Sequence, residues 1–470
     1  MTELRAILLL ALMLLASGLD CASQDMVGIM TITGAVGEEE LTDQDIERFE
    51  SYVSSPVEIN LSSARALMKS GLFSVYQAVS VADYRSRHGD ILSLAELAAV
   101  DGIGEAYAEA LAPYVSFYST SLPGSLPQSG VKSSSMARMV LRNGNTDLRG
   151  KYRITSRRVE AGIAARKDSP ANGSAYVSIK GKKCLDDIVI GDFNARFGQG
   201  LSLWTGMTMS GIGAPSSMYK RQYGVYPAWT FSGAHLRGAA SSFSFGRVIA
   251  SSFVSYPGMT FLKAKDRDLT GGVNLAILTG HGRAGVTAVG STGGIARISG
   301  DMRLCIKGVE LFAEGAFDIV NSSSAFLAGA VVPLGEGTAG VVGRLYQSAF
   351  DPVLTAPVRA WTKACDETGL AASWQRKNLV LSCDLAARPS TGGTAEPQAQ
   401  VKLLCSDAWD VSPSVVVKAR LTHRLRSYGL RGRTDARADV CVSSGGWLFN
   451  ARANVLRCRN TAWLGYLEPG

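Results

Sequence analysis

The chain has 470 residues, with 51 glycines and a charged fraction of only 19%. No stretch beyond the N-terminus approaches the ~20 consecutive apolar residues of a membrane-spanning helix, which excludes a helical membrane bundle. The formal net charge of +8 hides a split: residues 25–118 carry 5 Lys+Arg against 15 Asp+Glu, and residues 119–470 carry 42 against 23, so two domains in different environments are expected.

Arg5 precedes an apolar run from Ala6 to Ala16, of signal-peptide length and too short to span a bilayer. Small residues follow, so residues 1–23 are expected to be a signal peptide cleaved after Ala22 or Ser23. Asp20 stands before Cys21, where a lipobox wants a small residue, which argues against a lipid anchor. Residues 24–55 read as an acidic helical lead-in, with Leu41-Thr-Asp-Gln-Asp-Ile-Glu47 as a capped helix start on a solvated linker.

Residues 56–118 read as a small all-α domain. Asn60 or Ser62 would cap a helix through Ala64, Leu67 and Met68, which turns at Ser70-Gly71. A longer helix ends near His88-Gly89. Ser93-Leu-Ala-Glu96 has the spacing of a capping box, and Gly102-Ile-Gly104 turns into a last helix toward Leu111. Helix, glycine turn, helix, twice over, is a pair of helix-hairpin-helix units. Pro56-Val-Glu-Ile-Asn-Leu-Ser-Ser63, Tyr84-Arg-Ser-Arg-His-Gly89, Leu94-Ala-Glu-Leu97 and Val100-Asp-Gly-Ile-Gly104 resemble the helix-hairpin-helix domain of competence-type DNA receptors. That resemblance implies DNA-phosphate binding by Gly102, Ile103 and Gly104, where backbone N–H groups at a helix start attract an anion. This copy departs from the pattern at Gly71-Leu72-Phe73, which lacks the second glycine, and at Glu105 and Glu109, where a base is favoured. Phosphate binding needs an excess of cations. The acidic charge of residues 25–118 therefore disfavours DNA as a partner.

Residues 119–135 read as a linker from their Ser, Pro and Gly content. From 136 to 470 the pattern changes to period two. Val159, Ala161, Ile163 and Ala165 alternate with Glu160 and Arg166; Val309, Leu311, Ala313 and Phe317 alternate with Glu310, Glu314 and Asp318. Val415, Val417, Ala419 and Leu421 alternate with Lys418, Arg420 and Arg424; Phe449, Ala451 and Ala453 alternate with Asn450, Arg452 and Asn454. Between Asp187 and Gly206, Val189, Gly191, Phe193, Ala195 and Phe197 share one face and Ile190, Asp192, Asn194 and Arg196 the other. The first set is assigned to lipid and the second to the lumen. A long series of such strands behind an export signal predicts a large antiparallel transmembrane β-barrel, of roughly 14–16 strands.

The string Ile190-Gly-Asp-Phe-Asn-Ala-Arg-Phe-Gly-Gln-Gly-Leu-Ser-Leu-Trp-Thr-Gly206, with Arg237-Gly-Ala-Ala240, resembles a Bacteroidetes-type family of exported proteins. In that family a helix-hairpin-helix region precedes an outer-membrane β-barrel. The resemblance marks Gly191, Asp192, Phe197, Gly198, Gln199, Gly200, Leu201, Trp204, Arg237 and Gly238 as motif residues. Gly198-Gln-Gly200 lies in a strand pattern without a lysine, so it reads as a place of bending or close packing rather than a phosphate loop.

Catalytic chemistry has no foothold in the sequence. His88, His235, His281 and His423 show no metal spacing, so no metal or cofactor is expected. His423 shares parity with lipid-side residues. Seven cysteines follow Cys21, without any Cys-x-x-Cys; Cys383 and Cys405 read as packed thiols, and Cys365–Cys383 is the one pair that could flank a hairpin. Two readings stand. One is a non-enzymatic outer-membrane barrel with a periplasmic helix-hairpin-helix module, meeting lipid and a periplasmic partner and serving docking, transport or envelope structure. The other is a DNA-uptake protein.

Overall fold

The computed structural model describes residues 26–35, 41, 43–119, 130–142, 145–156, 158–167, 173–182, 184–206, 212–231, 235–256, 268–389, 397–412, 414–428, 432–444, 447–458 and 461–469. The expected signal peptide and most of the expected linker lie outside them.

Six helices form the N-terminal module: α1 (Met26–Thr33), α2 (Asp43–Ser54), α3 (Ala64–Ser70), α4 (Val75–His88), α5 (Leu94–Ala98) and α6 (Glu105–Leu111). A short parallel pair, β1 (Val57–Glu58) and β2 (Val115–Ser116), ties its ends together. Ser63, rather than Asn60 or Ser62, caps α3 by accepting the Ala66 N–H. Asn60 is buried instead, bridging the Ile91 N–H and the Ile91 and Tyr118 carbonyls across the module. The reciprocal capping box occurs at Ser74 and Gln77 on α4. At Ser93 only half of it forms, because Glu96 reaches the Leu92 N–H. Helix α2 is not a solvated linker: Phe49 is buried, edge-on to Tyr114 at 5.1 Å.

The rest is a closed antiparallel barrel with twenty-one strands among the described residues. In chain order they are β3 (Lys132–Arg142), β4 (Asn145–Thr155), β5 (Val159–Arg166), β6 (Ser174–Lys180), β7 (Leu185–Arg196), β8 (Gly224–Pro227), β9 (Leu236–Phe245), β10 (Val248–Ser255), β11 (Thr270–Thr279), β12 (Gly282–Ser291) and β13 (Ile295–Ile306). They continue as β14 (Val309–Asp318), β15 (Ser323–Leu334), β16 (Gly337–Tyr346), β17 (Glu367–Arg376), β18 (Leu379–Arg388), β19 (Gln398–Ser412), β20 (Val415–Arg426), β21 (Gly432–Ser444), β22 (Trp447–Arg457) and β23 (Thr461–Pro469). The series opens at Lys132, inside the stretch read as linker. The expected 14–16 strands are too few, because strands such as β5 and β6 are short and many turns hold only two residues. Those tight turns, such as Phe245–Val248, Ile306–Val309 and Leu334–Gly337, share one rim. The long connections, Arg196–Leu236 and Tyr346–Glu367, leave from the other.

Facing follows the pleat. On β11, Val273, Leu275 and Ile277 are exposed while Asn274 and Ala276 are buried; on β13, Ile298, Met302 and Ile306 are exposed while Arg297, Ser299, Asp301 and Arg303 are buried. Apolar side chains therefore form the outer belt and polar ones face inward, the inside-out pattern of a transmembrane barrel. His423, Cys383 and Cys405 lie on the outer face, in register with Leu403, Leu381 and their neighbours. Every described cysteine is free, so the Cys365–Cys383 bridge does not form.

The facing assigned to β7 is reversed at its start. Ile190 is exposed on the outside opposite Val177, whereas Val189 is buried inside. Phe193, assigned to lipid, is fully buried against Phe253, 5.9 Å between ring centroids, on the inner face. From Asp192 to Thr205 both parities are buried. The segment leaves the wall here and enters the lumen, so protein covers both of its faces.

Candidate functional site

Three features converge at the barrel: a helical module seated on its rim, a set of loops folded into the lumen, and a basic wall that the loops cover only in part.

The module sits at the short-turn rim. Arg65 of α3 pairs with Asp186 and also donates to the Phe243 carbonyl at 2.8 Å and Ser244 Oγ at 3.0 Å. Lys69, one turn later on the same face, pairs with Asp187. Ile249, Ala276 and Leu278 of the wall join the module's own core. From the lumen, the Arg48 guanidinium lies over the Tyr223 ring at 4.1 Å and near Tyr226 at 5.1 Å. Arg221 donates to the Gly71 carbonyl at 3.2 Å and to Tyr107 Oη at 3.4 Å, and Tyr107 donates to the Leu72 carbonyl. A Cβ at Gly71 would stand 2.7 Å from the Tyr223 ring. Burial pushes the Tyr52 phenol up to about 12, against the pull of Arg48, and its hydroxyl donates to the Ser70 carbonyl.

The first hairpin turn, Gly71-Leu72-Phe73, is thus spent on the barrel. So are Arg65 and Lys69, half of the Lys and Arg residues within 56–118 that could hold a polyanion. The second turn lies elsewhere. Gly102 and Gly104 are exposed, with φ of +81° and +73°, and Ile103 is buried. Glu105 and Glu109 follow at the start and middle of α6. DNA binding by this module is therefore not favoured.

The motif residues gather at the root of the lumen plug. Gly191 and Gly238 stand opposite each other on β7 and β9. Next to them Asp192 accepts from Arg237 Nε at 2.5 Å and Nη2 at 2.8 Å, from the Ala175 N–H at 2.6 Å, and lies 3.3 Å from His235 Nε2. Phe197 is buried beside Phe193 and Leu203. The chain then reverses at Gly198-Gln199-Gly200, which lies beyond β7 rather than inside a strand. The Glu314 carboxylate of β14 accepts three backbone N–H groups there, from Gln199 at 2.6 Å, Leu201 at 3.0 Å and Ser202 at 3.2 Å. A Cβ at Gly198 would stand 2.6 Å from that carboxylate, so the close packing expected of these glycines is a seat for a wall carboxylate. Leu201 packs into a cluster with Phe312, Leu327 and Val342. Trp204 lies beneath Arg196 at 5.4 Å and Lys220 at 5.2 Å.

Two further loops complete the plug. Residues 212–218 cross to the wall, where Ser373 donates to the Gly213 carbonyl and Ser382 to the Ile212 carbonyl. Residues 350–358 fold inward too: Arg297 donates to the carbonyls of Ser202, Val353 and Asp351, and Tyr346 to that of Val358. Burial, then Arg196 and Arg359, pulls the Lys220 ammonium on this plug down to about 7, with Asp45 opposing.

The inward wall from β12 to β17 is consequently sealed and charge-balanced. Arg283, Arg297, Arg303 and Arg344 meet Asp301, Glu310, Glu314, Asp318 and Glu367. The opposite wall differs. On β19 to β22 the inward charges with described side chains are Lys402, Lys418, Arg420, Arg424, Arg426, Arg433, Arg437 and Arg452 against Asp435 and Asp439. On β3 to β5 they are Lys132, Arg138, Arg149, Lys151, Arg153 and Arg166 against Asp147 and Glu160. That is fourteen bases against four acids, and most of these side chains keep partial solvent exposure. The sequence showed this basic set but not how the plug would divide it: Trp229 and Phe231 lie over Arg149, Lys151 and Arg153 of β4, while the cations of β19 to β22 stay more open. Among the described residues no cluster of His, Cys, Asp and Glu could hold a metal ion.

Residues 53–116 match the helix-hairpin-helix motif family. A search of curated proteins gave no match. Among solved structures the chain is similar to Pseudomonas aeruginosa OpdQ, with 10% identity over 72% of this chain and 99% of that one at a TM-score of 0.42. It is similar to P. aeruginosa OccK3 (OpdO), with 10% identity over 71% and 93% at 0.40. It is also similar to a BenF-like porin from Pseudomonas fluorescens Pf-5, with 9% identity over 72% and 97% at 0.39.

Proposed function

We propose that the protein is an exported, non-enzymatic outer-membrane barrel, and that its helix-hairpin-helix module is a periplasmic plug that controls passage through it. The observation that carries this reading is the seating of the module. Its first hairpin turn and the Arg65 and Lys69 pairs are engaged by the wall and by the lumen loops, at the rim where the strands are joined by short turns. In outer-membrane barrels the short turns are periplasmic and the longer loops extracellular. The apolar outer belt supports a place in lipid, and the polar lumen supports passage of a hydrophilic solute. The Gly102-Ile103-Gly104 turn, with both glycines exposed, is available to a periplasmic partner.

The test has two parts. Fractionation with heat-modifiable gel mobility should place the full chain in the outer membrane as a compact barrel; a soluble periplasmic protein would overturn the reading. In planar bilayers the Arg65→Ala, Lys69→Ala double variant should conduct more, or open more often, than the unaltered chain. Equal conductance, with both proteins folded, would show that the module is no plug.

A further inference from the structure

We propose that the uncovered wall of the lumen is a pathway selective for small solute anions, such as phosphate and carboxylates. This deepens the reading of the protein as a plugged passage and rests on it. Three observations on different parts of the barrel carry it.

The first is the distribution of space. The plug segments bind the wall mainly from β7 to β18, through Glu314, Arg297, Ser373 and Ser382, and touch β4 at Lys151, β6 at Ser174 and β19 at Gln400. The inward side chains of β13 are buried along its length, whereas those of β20 are all partly exposed. A wetted crescent therefore runs beside β19–β22 and β3.

The second is its charge. Lys418, Arg420, Arg424 and Arg426 ascend β20 on the inward face. Successive inward positions on a strand are ~7 Å apart. Lys418 and Arg420 are such neighbours, as are Arg424 and Arg426, with Thr422 between the two pairs, so an anion meets repeated weak sites of the kind that conduction needs. The carboxylates on this wall do not cancel that charge: Asp439 is shared by Arg437 and Arg452, and Asp435 is held by Arg433.

The third is the register. Arg424 stands directly opposite Arg433, and Arg420 opposite Arg437. Like charges facing each other across a strand pair destabilise a sheet. A sheet that needed only a polar lumen would be better served by serine or asparagine, as β11 and β12 use Asn274 and Thr287. Asp435 on Arg433 and Asp439 on Arg437 and Arg452 offset part of that repulsion, and the guanidinium groups offer planar donor pairs to a solute carboxylate or phosphate.

The experiment is the reversal potential of single channels in a potassium chloride gradient, using the full chain and the Arg65→Ala, Lys69→Ala variant. The expected result is chloride permeability exceeding that of potassium several-fold. Added inorganic phosphate should reduce the chloride current by competing for the same cations. The Lys418→Glu, Arg424→Glu double variant, checked as folded by heat-modifiable mobility, should lose or reverse the selectivity and the phosphate block. Conductance that is unselective or cation-selective in the unaltered chain would overturn the anion pathway and leave the passage reading standing. No conductance from either protein would overturn both.

Discussion

The two walls of this lumen are built from the same strands and turns, yet they handle charge in opposite ways. Between β12 and β17 each inward guanidinium is buried and meets a carboxylate or backbone carbonyl. Arg344 is an example: fully buried, it holds Glu367 at 2.5 Å and Asp384 at 2.7 Å. Between β19 and β22 the guanidinium groups outnumber their carboxylates and face solvent. Burial explains the difference. A charge removed from water requires a partner with good geometry, whereas a wetted one is screened and needs none. Where the plug lands, composition has to balance; where it does not, excess charge is available for solute.

Substitutions on the two walls should separate them most. Arg344→Leu leaves Glu367 buried without its partner and should cost about 3–5 kcal/mol in urea unfolding of the lipid- or detergent-embedded barrel. Arg424→Leu, on the wetted wall, should stay within ~0.5 kcal/mol. Equal costs would erase the distinction.

The outer belt gives the next effect. Leu275→Arg, on the exposed face of β11, should cost ~2–4 kcal/mol if it lies near the bilayer midplane. Thr422→Arg, inward on the wetted wall, should be mild. A tolerant Leu275 would break the facing assignment.

The two glycine turns of the module provide a smaller contrast. Gly71 has φ +76° and the Tyr223 ring against it, while Gly104 has φ +73° and open space where a Cβ would project. Gly104→Ala should cost the conformational term alone, about 1–3 kcal/mol, since φ +73° with ψ 167° is a region nearly confined to glycine. Gly71→Ala should cost more and weaken the seat, measurable as faster proteolysis of the module in the full chain.

A pH dependence at Lys220 tests the buried side of the comparison in another way. Its ammonium titrates at about 7 in the fold, and at ~10.4 when unfolded. The unfolded chain binds more protons between those values, so this group's penalty is full below 7 and shrinks as pH rises through that window. Lys220→Met should therefore raise the heat-modification midpoint more at about pH 6 than at about pH 9.

Much of the fold was legible because its signals are local. Period-two segments such as Val309–Asp318 and Val415–Arg426 showed which residues face out, and the structure agrees for both. The helix-hairpin-helix spacing and the helix ends at His88 and Leu111 were readable for the same reason. The candidate site was less legible. Its motif residues were visible as a string, but their shared role was not. Asp192 meets Arg237 across forty-five positions, and the N–H groups of Gln199 to Ser202 meet Glu314 across more than a hundred. Cap details failed where two local partners compete, as at Ser63 against Asn60 and Ser62.

By itself the sequence determined that there are two domains of opposite charge, one helical and one of alternating strands, because propensity, capping and pleat are set by neighbours along the chain. Only the tertiary structure decided the number of strands, the side on which Phe193 and Val189 lie, and the use of the first hairpin turn as a seat. Alternation records a difference between two faces but not which of them meets lipid once a plug has made the inside apolar too. Closing the barrel, and filling one half of it while wetting the other, depends on contacts between residues far apart in the chain.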